Sequence, residues 1–201
     1  MKNSFTASVV MTIFMVVVLM SLLALDVVEG IMESRVRLID SNSQLNRFLF
    51  RGNTPIEHGN FAIGKLRDLV REVGKNNNVQ VPDEFYLIDV SFLNMFEEDL
   101  KDETEYFKAN PHIGELVHWT IIGNPINGTD LPEWLRKDLA IYEKKWDRED
   151  KLIDRVDQLY NWIHTQDSIH NLNQDAQSAK ALVFYIHCEA GMDRYVEFHI
   201  I

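Results

Sequence analysis

The chain has 201 residues, enough for one domain with a hydrophobic core and hardly enough for two. With 46% hydrophobic and 25% charged residues, its composition is that of a folded protein. A formal net charge of −11 argues against nucleic acid or an anionic membrane surface as a partner, so any phosphate must be held by a local cradle and not by the overall field.

In chain order, the first segment stands apart from the fold. Lys2 supplies a small positive region, residues 9–25 read VVMTIFMVVVLMSLLAL without a charge, and Asp26 to Gly30 end in small residues. This is the pattern of a secretory signal peptide over residues 1–30, cleaved after Gly30. The apolar run is also just long enough to span a bilayer as an uncleaved signal anchor. The expected location is therefore the secretory pathway or outside the cell, with membrane attachment only if the segment is retained. Secretory proteins usually carry disulfides, but the single cysteine, Cys188, cannot form an internal one. Packing alone must hold the fold. Asn127-Gly128-Thr129 is a glycosylation sequon.

The domain is expected over residues 31–201. Residues 47–51 (RFLFR) predict a short strand, stopped by a turn at Gly52 to Pro55. Apolar residues at 62, 63, 66, 69, 70 and 73 have helical spacing, and Gly74 with Asn76 to Asn78 is expected to end that helix. Residues 85–90 (FYLIDV) predict a buried strand, followed by an acidic helix to about Phe107. Residues 116–122 (LVHWTII) predict another buried strand, broken by Gly123-Asn124-Pro125. Pro132 and Glu133 open a helix in which Leu135, Leu139, Tyr142 and Trp146 recur at helical spacing. Leu152, Ile153, Val156, Leu159, Tyr160 and Ile163 do the same, so these aromatics are read as core. A polar loop over 167–178 leads into residues 181–187, whose apolar run (ALVFYI) suits the centre of a parallel sheet. Alternating strands and helices give an α/β class with a central, mostly parallel sheet flanked by helices.

The chemistry gathers where that last strand ends, in His187-Cys188-Glu189-Ala190-Gly191-Met192-Asp193-Arg194. Ligands of open α/β sheets bind beyond the carboxyl ends of the strands. Five residues between Cys188 and Arg194 can curl so that successive backbone N–H groups point inward as an anion nest, and Gly191 permits the angles this needs. A thiol at the start of such a loop faces those N–H groups, which favour a thiolate. Arg194 can hold two phosphate oxygens with its planar fork. The thiolate is then placed to attack phosphorus and form a phosphocysteine that water cleaves. The plainer reading is a buried structural cysteine. Against it, His before Cys, Gly third after it and Arg sixth coincide by chance on the order of once in ten thousand, taking each residue at about a twentieth of composition.

The stretch HCEAGMDR resembles the HCxxGxxR signature of the protein tyrosine and dual-specificity phosphatase superfamily, specifically over residues 182–194. More loosely, RFLFRGNTP resembles the opening strand and turn of small dual-specificity-like members. The resemblance implies a phosphatase-like fold and the hydrolysis of phosphate monoesters on a phosphorylated protein or phospholipid, without a cofactor. It implies Cys188 as nucleophile, Arg194 as phosphate-binding arginine, the backbone of Glu189, Ala190, Gly191, Met192 and Asp193 as cradle, and His187 as the residue that tunes the thiolate. Two departures stand out. Tyr195 occupies the place where the family has Ser or Thr, and only VEFHII follows it, so the domain is expected to be C-terminally incomplete. The family's general acid, an Asp on a loop before the signature, maps best onto Asp130. The plainer role of Asp130 is a cap before the helix at Pro132. Asp193 is the second choice, since an Asp before the arginine also occurs in myotubularin-like and Sac-like phosphoinositide phosphatases.

Three alternatives stay open at this level: a catalytically inactive phosphate-binding module, a phosphoinositide phosphatase, and a rhodanese-like domain. Glu189 and Asp193, with no lysine in the loop, weigh against a polyphosphorylated substrate. Asp147 and Asp150 read as a solvated helix face. The histidines, among them His112, His118, His164 and His170, show no metal-ligand spacing with acids or cysteines, so no metal is expected.

Overall fold

A computed structural model of the chain describes residues 30–93, 98–119 and 151–191. A five-stranded sheet organises them. Its strands are β1 (Arg37–Asn42), β2 (Arg47–Asn53), β5 (Tyr86–Ser91), β6 (Gly114–His118) and β7 (Leu182–Cys188), in the order β1-β2-β7-β5-β6. A separate hairpin pairs β3 (Ile56–Glu57) with β4 (Asn60–Phe61). The described helices are α1 (Ile63–Asn76), α2 (Glu98–Ala109), α3 (Leu152–His164) and the short α4 (Gln174–Ser178).

The sheet is mixed. β2, β7, β5 and β6 run parallel, and β1 pairs antiparallel with β2. An α/β architecture with a mostly parallel sheet and flanking helices is what the alternating pattern predicts. β7 lies between β2 and β5, and all seven of its residues are buried. A strand covered on both faces needs apolar side chains on both, which is why the run ALVFYI shows no alternation.

Two packed layers cover the sheet. On one face Leu49, Ile88, Val90, Leu182, Phe184 and Ile186 meet Leu159, Trp162 and Ile163 of α3. On the other, Phe48, Phe50, Leu87, Val183 and Tyr185 meet Leu66, Leu69 and Val70 of α1 and Phe107 of α2. Arg47 clamps the first layer: its guanidinium donates to the carbonyls of Trp162 at 2.7 Å and Thr165 at 2.8 Å, which would otherwise be orphaned at the end of α3.

Several sequence expectations are corrected. β1 and the β3–β4 hairpin were not anticipated, because β1 is a polar edge strand with only Leu38 and Ile39 as apolar markers. α1 ends at Asn76, capped by Asn77, within the Asn76 to Asn78 run expected to stop it, but it passes through Gly74, which is buried where a Cβ would come within 2.8 Å of Val81. The strand read over 116–122 begins earlier, at Gly114, ends at His118 and is a partly buried edge. Tyr160 and Ile153 are exposed, at 62% and 48%, while Trp162, absent from the predicted stripe, is buried. The polar loop 167–178 contains a 3-10 segment, Gln166–Asn171, and then α4, whose Asn173 cap accepts from the Ala176 N–H at 2.9 Å. The apolar leader, the sequon and the helix expected after Pro132 lie outside the described residues. Among the described residues no helix is long and apolar enough to cross a membrane.

Candidate functional site

Cys188 is the last residue of β7, at the carboxyl end of the central parallel strand. The chain bends over Glu189 and Ala190, and Gly191 follows with φ +66°. This segment is set against the end of β2. His187 is level with Gly52 and Cys188 with Asn53 in the parallel register. The Thr54 N–H donates to the Glu189 carbonyl at 3.3 Å. At Gly191 a Cβ would lie 2.8 Å from the Asn53 nitrogen and 2.9 Å from the Gly52 carbonyl oxygen. Left-handed backbone and a blocked Cβ together demand glycine. Gly191→Ala should therefore displace the loop and lower the melting temperature; a variant that melts with the wild type and leaves Cys188 equally reactive toward iodoacetamide would show the turn to be tolerant.

Neighbouring residues on a strand point to opposite faces. Cys188 is 3% exposed and joins the layer packed by α3. His187 lies on the face of α1 and α2, so its imidazole and the thiol are on opposite sides of the sheet. Any influence of His187 on Cys188 passes through the backbone or the electrostatic field.

His187 has found other company. Its Nε2 is 3.2 Å from Oδ1 of Asp89, on the neighbouring strand β5, and 3.3 Å from Oε1 of Glu103, on α2. All three side chains are fully buried. Neither contact is aligned as a hydrogen bond; both ring nitrogens and both Asp89 oxygens lack an aligned partner. Glu103 receives a long contact, 3.5 Å, from the Thr54 hydroxyl. Burial opposes charge on every member. It pushes Glu103 up to about 8 against the pull of His187, and it pushes Asp89 up as well. For His187 burial works downward, but the Glu103 charge and then the Asp89 charge outweigh it and hold the imidazole up at about 9. The state that minimises buried net charge is an imidazolium beside one carboxylate and one neutral carboxyl.

Sequence spacing concealed this group, because Asp89, Glu103 and His187 belong to three separate elements. The available signal was Asp89 itself, an acid inside the apolar run FYLIDV, since a buried carboxyl needs a partner. Among the described residues these three are the one His/Cys/Asp/Glu group close enough to ligate a cation, with candidate ligand atoms all within 4.8 Å of one another.

Of the sequence-derived site residues, the structure brings together His187, Cys188, Glu189, Ala190 and Gly191 in one strand end and turn. Met192, Asp193, Arg194, Tyr195 and Asp130 lie outside the described residues. The other histidines have local roles: His118 contacts the Leu93 carbonyl at 2.7 Å, and His164 pairs with Asp40 at 2.7 Å. A cavity of about 560 Å3 lined by Arg67, Glu84, Tyr86, His112 and Lys180 lies at the amino ends of β5 and β7, at the opposite end of the sheet from Cys188. Compared with family models, curated proteins and solved structures, the chain matches none.

Proposed function

We propose that the chain is a cysteine-dependent phosphatase that hydrolyses phosphate monoesters of phosphotyrosine or phosphoserine/threonine through a phosphocysteine. The observation that carries this reading is the place of the sole cysteine: it ends the central parallel strand and opens a glycine-dependent turn, with Arg194 six residues on in the sequence. In the first step the Cys188 Sγ electron pair attacks phosphorus, the bond to the ester oxygen breaks, and that oxygen takes a proton from an acid, for which Asp130 is the candidate. In the second, water attacks the phosphorus and gives its proton to the carboxylate that the first step left on the acid, the S–P bond breaks, orthophosphate leaves and the thiolate returns. Arg194 and the loop N–H groups hold the phosphoryl oxygens in both steps.

Hydrolysis of an activated aryl phosphate by the full chain, competitive inhibition by orthovanadate, and a phosphoenzyme trapped at Cys188 by rapid denaturation are the expected results. Turnover that persists after Cys188 is alkylated would sink the proposal. A second reading, a phosphate-binding module without turnover, is supported by the near-complete burial of Cys188 and by Tyr195, bulkier and of different reach, where the resemblance calls for the short Ser or Thr hydroxyl that assists the second step. It is the outcome if vanadate binds and no ester is cleaved.

A further inference from the structure

We propose that Tyr185 is a positioning residue for the Cys188 loop: its hydroxyl pins the Asn53–Thr54 peptide, whose N–H bonds the loop, at the end of the β2 backbone that forms the wall on which the loop is set. What the loop binds rests on the phosphatase reading above; the geometry does not.

The argument begins at Tyr185, three residues before the cysteine on β7. Its side chain is completely buried on the face of α1 and α2, and its hydroxyl donates to the Asn53 carbonyl at 2.8 Å. Burial, and after it the Asp89 charge, push the phenol well above its ordinary value, so the hydroxyl keeps its proton and stays a donor. The ring has little freedom to swing away, because it stacks on the His187 imidazole with centroids 5.7 Å apart and planes at 26°. His187 is in turn held between Asp89 and Glu103.

The hydroxyl reaches Asn53 only because residue 52 is glycine. A Cβ there would collide with the hydroxyl and lie 2.7 Å from Cζ. The N–H of the pinned peptide, on Thr54, bonds the Glu189 carbonyl, and the peptide just before it, Gly52–Asn53, is the surface against which Gly191 lies. On its far side the Asn53 side chain accepts from the Met32 N–H and donates to the Gly30 carbonyl, each at 2.9 Å. The wall is therefore fastened from the sheet interior by Tyr185 and from the outside by residues 30–32, and the turn after Cys188 leans on it. A phenylalanine at 185 would preserve the packing and remove only the inner fastening.

The test compares Tyr185→Phe with wild type in the full chain, by amide hydrogen exchange and by orthovanadate affinity. Losing one buried hydrogen bond should raise exchange over residues 52–54 and 188–191 by roughly 5- to 30-fold, with β5 and α1 unchanged. Vanadate affinity should fall by a similar factor, and for an aryl phosphate KM should rise more than kcat falls. Unchanged exchange over 52–54, or an increase spread evenly over all strands, would overturn the assignment and leave Tyr185 a core residue. If wild type binds no oxyanion, the phosphatase reading falls, and the exchange data alone decide the role of Tyr185. A stoichiometric divalent metal, present in wild type and lost on Glu103→Gln together with protection over 52–54, would also overturn it, by making a metal at the buried cluster the fastening element.

Discussion

On the proposed mechanism, Cys188→Ser should lower turnover of any phosphate ester by about 10^4-fold or more and leave oxyanion binding in place. The two side chains differ by one atom, but a serine hydroxyl has no base beside it among the described residues and is a weak nucleophile without one. The loop backbone and Arg194 remain, so vanadate or phosphate should still bind. The exchange also changes packing, because Cys188 is 3% exposed and belongs to the apolar layer under α3. Burying a hydroxyl without a partner costs about 1–3 kcal/mol. Cys188→Ala controls for this: it should be equally inactive and more stable than the serine variant. Activity within tenfold of wild type in either variant would remove the phosphocysteine mechanism altogether.

The second large effect concerns the buried cluster. His187→Ala leaves Asp89 and Glu103 without their cation in the sheet interior, and uncompensated buried charge of this kind costs about 3–5 kcal/mol. The cluster also makes wild-type stability depend on pH in a stated direction. His187 is held at about 9, above its ordinary 6.5, so its contribution is complete below 6.5 and is lost as pH rises through 9. Glu103 is held at about 8, above its ordinary 4.5, so the folded state again binds the extra proton, and stability falls as pH rises from 4.5 through 8. Asp89, also raised, adds with the same sign. Urea denaturation at pH 5.5, 7 and 9 should therefore show stability declining steadily. Glu103→Gln should flatten the lower part of that decline. Equal stability at pH 5.5 and 9 would mean that the cluster does not take up protons on folding.

Local chemistry settled part of this protein in advance. The run ALVFYI could only be a strand buried on both faces, and a parallel sheet has its reactive end where such a strand stops, so the position of Cys188 followed from residues 181–188 alone. The helical spacing at 66, 69 and 70 likewise placed the buried face of α1. Even the opposite orientation of His187 and Cys188 is implied by the two-residue repeat of a strand. Register and helix docking decided the rest. Asp89 meets His187 because β5 and β7 are neighbours, offset so that Ser91 is level with His187. Glu103 joins them because Phe107 and Tyr106 dock α2 on that face. Tyr185 can reach Asn53 because Gly52 leaves room, a fact that concerns residues 132 positions apart. A sequence records which side chains are apolar along each element. It does not record which polar groups, expelled from water by that packing, will have to answer one another across strands, and in this chain those groups lie directly behind the candidate loop.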